Sequence, residues 1–271
     1  MVYSQESDRV LSTDLLAYYR QVSQQLFTVV DVETTGHSPT ENRITELSVL
    51  HATLADGIQQ QQTDLINPQT QIPINIIRFT GITQKMVEAA PTATEIFPAY
   101  TELLNTGILT AHNIEFDYPF IRAEYARLGV KFDRPEAEQL CTVQLSRLML
   151  PDLPSRSLPN LVKHFKFNVG KSHRAEADAI ACWLLAERLF TEILNESDDV
   201  LLARFARQWL PLKYAAKLLG CSLQESQTQL MAAEIPSRFV GKGSRGTWMY
   251  QRGDVERVFH EQQGGTQLSM L

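Results

Sequence analysis

The chain has 271 residues, 44% of them hydrophobic and 21% charged, a balance that supports a packed core and excludes an intrinsically disordered polypeptide. A formal net charge of −6 excludes a protein that coats nucleic acid over its whole surface. It does not exclude a local site, because carboxylates that hold cations add negative charge where a phosphate is cut.

Met1 to Asp8 are polar and lack the apolar stretch of a signal peptide, and no apolar run approaches the ~18–20 residues needed to span a bilayer. The three cysteines, Cys141, Cys182 and Cys221, are far apart, so neither a disulfide framework nor a thiolate zinc site is expected. A cytoplasmic protein with no membrane association is the expectation. Leu11, Leu15, Tyr18 and Val22 recur at helical spacing and predict an amphipathic helix. Residues 27–33 are rich in β-branched side chains and predict a strand that ends in the turn Thr34-Thr35-Gly36. Residues 44–54 and 62–66 read as two further strands, after which Pro68 and Pro73 break the pattern. A helix over 94–105, a short apolar strand over 108–112 and a helix over 116–128 follow. The longest helical pattern covers 175–194, with Ala179, Cys182, Leu185 and Leu189 along one face. Strands grouped first and then alternating with helices predict an α/β fold with a mixed sheet.

Asp31 and Glu33 lie two apart on the first strand, so they share a face inside an apolar segment. Unpaired carboxylates there cost several kcal/mol or titrate neutral, and a hard divalent cation removes that penalty. The plain alternative is that both point to solvent at a strand end. Asp117 falls near the start of the next helix, where an N-cap role is the simple explanation. Asp178 lies in the first turns of the long helix, with His173 at its entrance, where a histidine can be merely solvated. His37, His51, His164 and His260 read as solvated; His112 is a rival to His173 for proton chemistry.

Taken together, these three segments resemble the motifs of the DEDDh 3′–5′ exonucleases, the family that includes the proofreading epsilon subunit of bacterial DNA polymerase III. The likeness covers residues 27–189 and extends to Arg78-Phe79-Thr80-Gly81-Ile82-Thr83. It implies a ribonuclease-H-like five-stranded mixed sheet with flanking helices. It also implies two divalent metal ions, Mg²⁺ or Mn²⁺, held by Asp31, Glu33, Asp117 and Asp178, with His173 as general base. Thr34, Thr35, Gly36, Asn113 and Phe116 are implied as contacts to the terminal nucleotide; Phe116 reads equally well as core.

Residues 195–199 are polar and mark the expected boundary between an exonuclease domain (1–199) and a second module (200–262). Residues 203–261 carry nine Lys/Arg against five Asp/Glu, a basic stretch in an acidic chain. A helix, a turn at Gly220, an N-cap at Ser222, a second helix, a hairpin and a closing helix resemble the winged helix-turn-helix modules of excisionases. The helix after Ser222 contains no Lys or Arg, so the wing cations Arg238, Lys242, Arg245 and Arg252 are the expected DNA contacts. A protein-docking or purely structural module is the alternative. Residues 263–271 read as a flexible tail, in which Gln267, Leu268, Met270 and Leu271 resemble the short peptides that bind the bacterial sliding clamp.

The expectation is therefore a 3′–5′ exonuclease acting on single-stranded or frayed DNA 3′ ends in replication or repair, partnered by the sliding clamp or a DNA polymerase. One alternative is an exoribonuclease that trims RNA 3′ ends. The other is a DNA-bound regulator built on an inactive nuclease fold.

Overall fold

The computed structural model describes residues 10–170, 173–242 and 246–268, with side chains as far as 263. In chain order, α1 (Ser12–Val22) leads into β1 (Phe27–Thr34), β2 (Ile44–Thr53) and β3 (Gly57–Leu65). Helices α2 (Ile74–Thr80), α3 (Gln84–Glu88) and α4 (Ala93–Asn105) precede β4 (Ile108–Ala111), α5 (Ile114–Arg127) and β5 (Gln139–Cys141). There follow α6 (Thr142–Met149), α7 (Leu158–Phe165), α8 (Ala175–Asn195) and α9 (Asp198–Ala206). The chain closes with β6 (Trp209–Pro211), α10 (Leu212–Leu219), α11 (Leu223–Ala232), β7 (Ser237–Val240), β8 (Thr247–Gln251) and α12 (Arg252–Leu268).

Two compact units result. One comprises Gln21–Leu145 and Ser155–Thr191; the other takes the chain as far as Arg20, Ser146–Pro154 and everything from Glu192 onward. This division departs from a boundary at 199, since most of α1 groups with the C-terminal residues. The reason lies in polar anchoring: Ser12 donates to Glu256 through its N–H (2.7 Å) and its hydroxyl (2.8 Å).

The first unit is built on a five-stranded sheet of order β3-β2-β1-β4-β5. Strand β1 is central, antiparallel to β2 and parallel to β4. The expected mixed sheet is present. Because β1 is covered on both faces, Phe27, Val29 and Val30 are fully buried, as an apolar β-branched run requires. Its register sets Asp31 opposite Ser48 and Glu33 opposite Glu46. The core on one side joins Val30, Leu47, Phe97, Tyr100, Phe120 and Tyr125. Strand β3 starts earlier than residue 62 because the Gln59–Gln62 run forms an exposed edge strand, where polar side chains are tolerated. The fifth strand, β5, was not legible; with three residues it is too short for a periodic signal.

In the second unit, α10 ends on left-handed Gly220 (φ 70°) and α11 starts at Ser222, whose side chain and that of Glu225 form a capping box. Strands β6, β8 and β7 form a three-stranded sheet in that order. Leu210, Ala215, Leu218, Leu230, Tyr250 and Val255 make its core. The polar stretch 195–199 holds only a short link, Glu196 and Ser197, since α8 ends at Asn195 and α9 begins at Asp198. Helix α12 also continues to Leu268, across Gly264 and Gly265, where a flexible tail was expected from 263. Among the described residues no helix is long and apolar enough to cross a membrane.

Candidate active site

Three elements bring the four acids together. Asp31 and Glu33 come from the C-terminal half of β1, Asp117 from the first turn of α5 and Asp178 from the first turn of α8. Asp117 is 3% exposed and accepts a hydrogen bond from the Val32 N–H at 3.1 Å. That bond ties it to the peptide between Asp31 and Glu33, so its role is more than helix capping. Asp178 accepts the His173 N–H at 3.0 Å. Glu33, His173 and Asp178 each offer a ligand atom within 4.8 Å of the others. Asp31 and Glu33 therefore do not point freely to solvent.

The electrostatics follow from this crowding. Burial, then the charges of Asp117, Asp178, Glu33 and Glu46, push the Asp31 carboxyl well above its ordinary value. Burial and the charges of Asp178, Glu46 and Asp117 push Glu33 up to about 8, opposed by Arg174. Burial raises Asp117 to about 7 against the backbone hydrogen bonds it accepts, and burial raises Asp178. Among the described residues no cationic side chain forms an ion pair with Asp31 or Glu33. Clustered carboxylate oxygens whose mutual repulsion Arg174 offsets only in part fit a hard divalent cation. The donor set therefore suits the group that the sequence implies.

The two histidines separate clearly. His112 is held inside: its Nε2 donates to the Arg156 carbonyl at 2.8 Å, and its Nδ1 lies 2.9 Å from the Thr142 hydroxyl. A carbonyl only accepts, so Nε2 carries the proton and Nδ1 accepts from Thr142. Burial lowers its pKa to about 4, leaving a neutral ring with both nitrogens engaged. His173 instead lies beside Glu33 and Asp178, its ring centroid 3.9 Å from that of Phe79 with the two planes tilted by 38°. His51 is also not simply solvated, since its Nε2 lies 2.9 Å from the Leu103 carbonyl.

The turn after β1 is self-contained. The Thr34 hydroxyl donates to the Gly36 carbonyl at 2.6 Å, and the Thr35 hydroxyl accepts from the Arg43 N–H at 3.0 Å. Both threonines are buried, so their hydroxyls shape the turn. A Cβ at Gly36 would lie 2.5 Å from the Asn42 side chain; the close approach that glycine permits here is by Asn42. Asn113 is exposed with a left-handed backbone (φ 88°) ahead of α5. Phe116 is half-buried against the core, with its ring 6.5 Å from that of His37. Both readings of Phe116 thus hold in part.

In the second unit, Arg252 is 8% exposed; it donates to the Gln208 side chain and the Val10 carbonyl and pairs with Glu256. The expectation that it contacts DNA is corrected: its guanidinium is consumed in holding this unit together. Arg238 is exposed and lies 3.9 Å over the Trp209 ring, and Lys242 is exposed. Arg245, Met270 and Leu271 lie outside the described residues, whereas the backbone of Gln267 and Leu268 belongs to α12.

Sequence reasoning missed two features. Glu46 is 1% exposed on β2, a glutamate at an inward position of an apolar strand, which was a readable signal. Glu124, also 1% exposed, receives Arg43 through Nε and Nη2 and the Ile44 N–H, tying α5 to the start of β2. Nothing in the spacing of Arg43 and Glu124 announced that pair.

Comparison with known proteins places these residues in context. The model of the exonuclease family matches residues 28–185. The DNA polymerase III epsilon subunit of Aquifex aeolicus is 33% identical over 174 residues, 63% of this chain and 81% of that protein. The 3′–5′ exonuclease DinG of Bacillus subtilis is 33% identical over 177 residues, 65% of this chain but 18% of its own length. The PolC-type DNA polymerase III of Clostridium perfringens is 33% identical over 173 residues, 64% of this chain and 12% of its own. The chain thus spans less than a fifth of these two longer relatives. Among solved structures, Escherichia coli exonuclease I in complex with a dT13 oligonucleotide superposes with a TM-score of 0.54 at 18% identity, over 66% of this chain and 45% of that one. That likeness concerns the fold.

Proposed function

The chain belongs to the exonuclease family, and on that premise we propose that it is a metal-dependent 3′–5′ exonuclease of the DEDDh type that removes nucleotides from DNA 3′ ends. The observation that carries this reading is the mutual proximity of Asp31, Glu33, Asp117 and Asp178, with His173 offering a ligand atom within 4.8 Å of those of Glu33 and Asp178 and no cationic side chain paired to the two β1 acids among the described residues. Asp31, Glu33 and Asp178 would hold one divalent cation, and Asp31 with Asp117 a second. Mg²⁺ or Mn²⁺ bound there supplies Lewis acidity toward water and the scissile phosphate.

The chain's own residues do the rest. His173 takes the proton of the attacking water on a ring nitrogen, a task suited to an imidazole near neutral pH. Phe79 packs against that ring at a 38° tilt and limits its movement. Asn113 and Phe116 flank the sugar and base of the terminal nucleotide, beside the turn made by Thr34, Thr35 and Gly36. The 33% identity to the Aquifex DNA polymerase III epsilon subunit and to the 3′–5′ exonuclease DinG supports 3′–5′ exonuclease activity on DNA in replication or repair, and a cytoplasmic location is part of the same proposal. In the C-terminal unit, read as a winged helix-turn-helix module, Arg238, Lys242 and Arg245 would touch the phosphate backbone without reading bases. Gln267, Leu268, Met270 and Leu271 would engage the sliding clamp; retained clamp binding after deletion of 267–271 rules that out.

The test uses single-stranded DNA and RNA labelled at the 5′ end, with Mg²⁺ or Mn²⁺ and an EDTA control, for wild type and Asp31→Ala. Stepwise shortening of DNA from the 3′ end, lost in EDTA and in the variant, is the expected result. Preferential shortening of RNA would move the substrate to RNA. Indifference to both polymers would overturn the reading and leave a DNA-bound regulator.

A further inference from the structure

Glu46 is the buried acid that the proposed chemistry leaves without a task. Its residue is the cross-strand partner of Glu33, and it is 1% exposed. The Arg174 Nε donates to both of its carboxylate oxygens at 3.1 Å, and Arg174 Nη2 donates to Oε1 as well. The Ala175 N–H donates to Oε2 at 2.8 Å. One carboxylate from β2 therefore grips two consecutive residues at the start of α8.

Those two residues directly follow His173, whose backbone is left-handed (φ 63°). A side chain other than glycine adopts that conformation only when its surroundings impose it. Here the surroundings are explicit: Asp178 accepts the His173 N–H, and Glu46 fixes Arg174 and Ala175 on the other side. A two-pronged guanidinium–carboxylate pair defines position and angle, which a single hydrogen bond does not.

We propose that Glu46, acting through Arg174, is a positioning residue that sets where the His173 ring stands relative to Glu33 and Asp178. The inference rests on the reading of His173 as the proton acceptor. Glu46 touches neither substrate nor reacting atoms; its effect passes through the backbone of the segment it holds. Because it faces Glu33 across the sheet, strand pairing carries the geometry of one metal-site acid directly to the histidine.

Glu46→Gln and Arg174→Lys, each retaining polarity, provide the test in the full-length protein. Each is expected to lower kcat by roughly 10–100-fold, the range typical when a group behind an active-site residue is lost. KM for the oligonucleotide and Mn²⁺ affinity by calorimetry should stay near wild type, and the double variant should be no worse than the poorer single one. By NMR, the ring signals of His173 should move in both variants while those of His37 stay. Folded variants with unchanged kcat and unchanged His173 signals overturn the proposal. A loss seen only as weaker Mn²⁺ binding also overturns it, since Glu46 would then serve the cations. A wild type inactive on both DNA and RNA would sink the exonuclease reading alone, because the His173 signals still decide this one.

Discussion

Removing one charge from the acid cluster should stabilise the metal-free protein, and Glu33→Gln is the informative change. Glu33 is 8% exposed, and its carboxyl is raised from 4.5 to about 8, first by burial and then by neighbouring carboxylates. A carboxyl whose folded value is raised contributes stability below its unfolded value, and that contribution is lost as pH climbs from 4.5 toward 8. Such a shift costs folding about 4 kcal/mol at about pH 7.5 and only ~1 kcal/mol at about pH 5. The amide that replaces the carboxyl must still find hydrogen-bond partners, so roughly half of the larger figure should appear as net gain. For a unit of this size that is a rise in Tm of roughly 4–8 °C at the higher pH. Differential scanning fluorimetry in EDTA at both pH values measures it. Added Mn²⁺ should raise the Tm of wild type but not of Glu33→Gln. If the variant melts lower than wild type in EDTA at about pH 7.5, the carboxylates are not the source of strain and the argument for a cation site fails.

Asp117→Asn keeps an oxygen for the Val32 N–H, so it should fold normally and lose roughly 10²–10³-fold in activity, as followed on labelled oligonucleotides; full activity would remove Asp117 from the site. His112→Ala removes one hydrogen-bond partner each from the Arg156 carbonyl and the Thr142 hydroxyl and should cost about 1–3 kcal/mol of stability with kcat per folded molecule unchanged, whereas His173→Ala should retain Tm and lose roughly 10²–10⁴-fold in kcat. Because the His112 value is depressed to about 4, its contribution is complete above about pH 6.5 and lost as pH falls through 4; an acid titration of Tm should lose that limb in His112→Ala. In the C-terminal unit, Lys242→Glu should weaken DNA binding and lower its salt dependence by about one counterion, whereas Arg252→Ala should lower Tm through the lost bonds to Gln208 and Val10.

Much of the site was legible because its chemistry demands residues the fold would otherwise avoid. Asp31 and Glu33 interrupt a run of β-branched side chains on the central strand, and only a special purpose repays carboxylates at that position. The central strands were equally plain, since burial on both faces of β1 forces an apolar run. What stayed hidden depends on contacts between distant segments. The resemblance already favoured His173 over His112, but the reason His112 is unavailable lies in Thr142 and Arg156, neither of which adjoins it in sequence. Arg252 looked like a free cation of the wing, and its burial depends on Gln208 and Val10, far away in the chain.

The pair Glu33 and Glu46 shows why such contacts resist a one-dimensional reading. Both are glutamates on adjacent central strands, facing one another in register and almost wholly buried. Pattern and propensity cannot tell them apart. Arg174 separates them: it binds Glu46 with its fork and leaves Glu33 opposed by other carboxylates. A buried acid with a guanidinium partner is geometry; a buried acid without one is a demand for a cation. Exchanging the two environments by Glu46→Gln should therefore leave Mn²⁺ affinity in place, while Glu33→Gln abolishes it. Equal losses in both would mean that the two glutamates share one site after all.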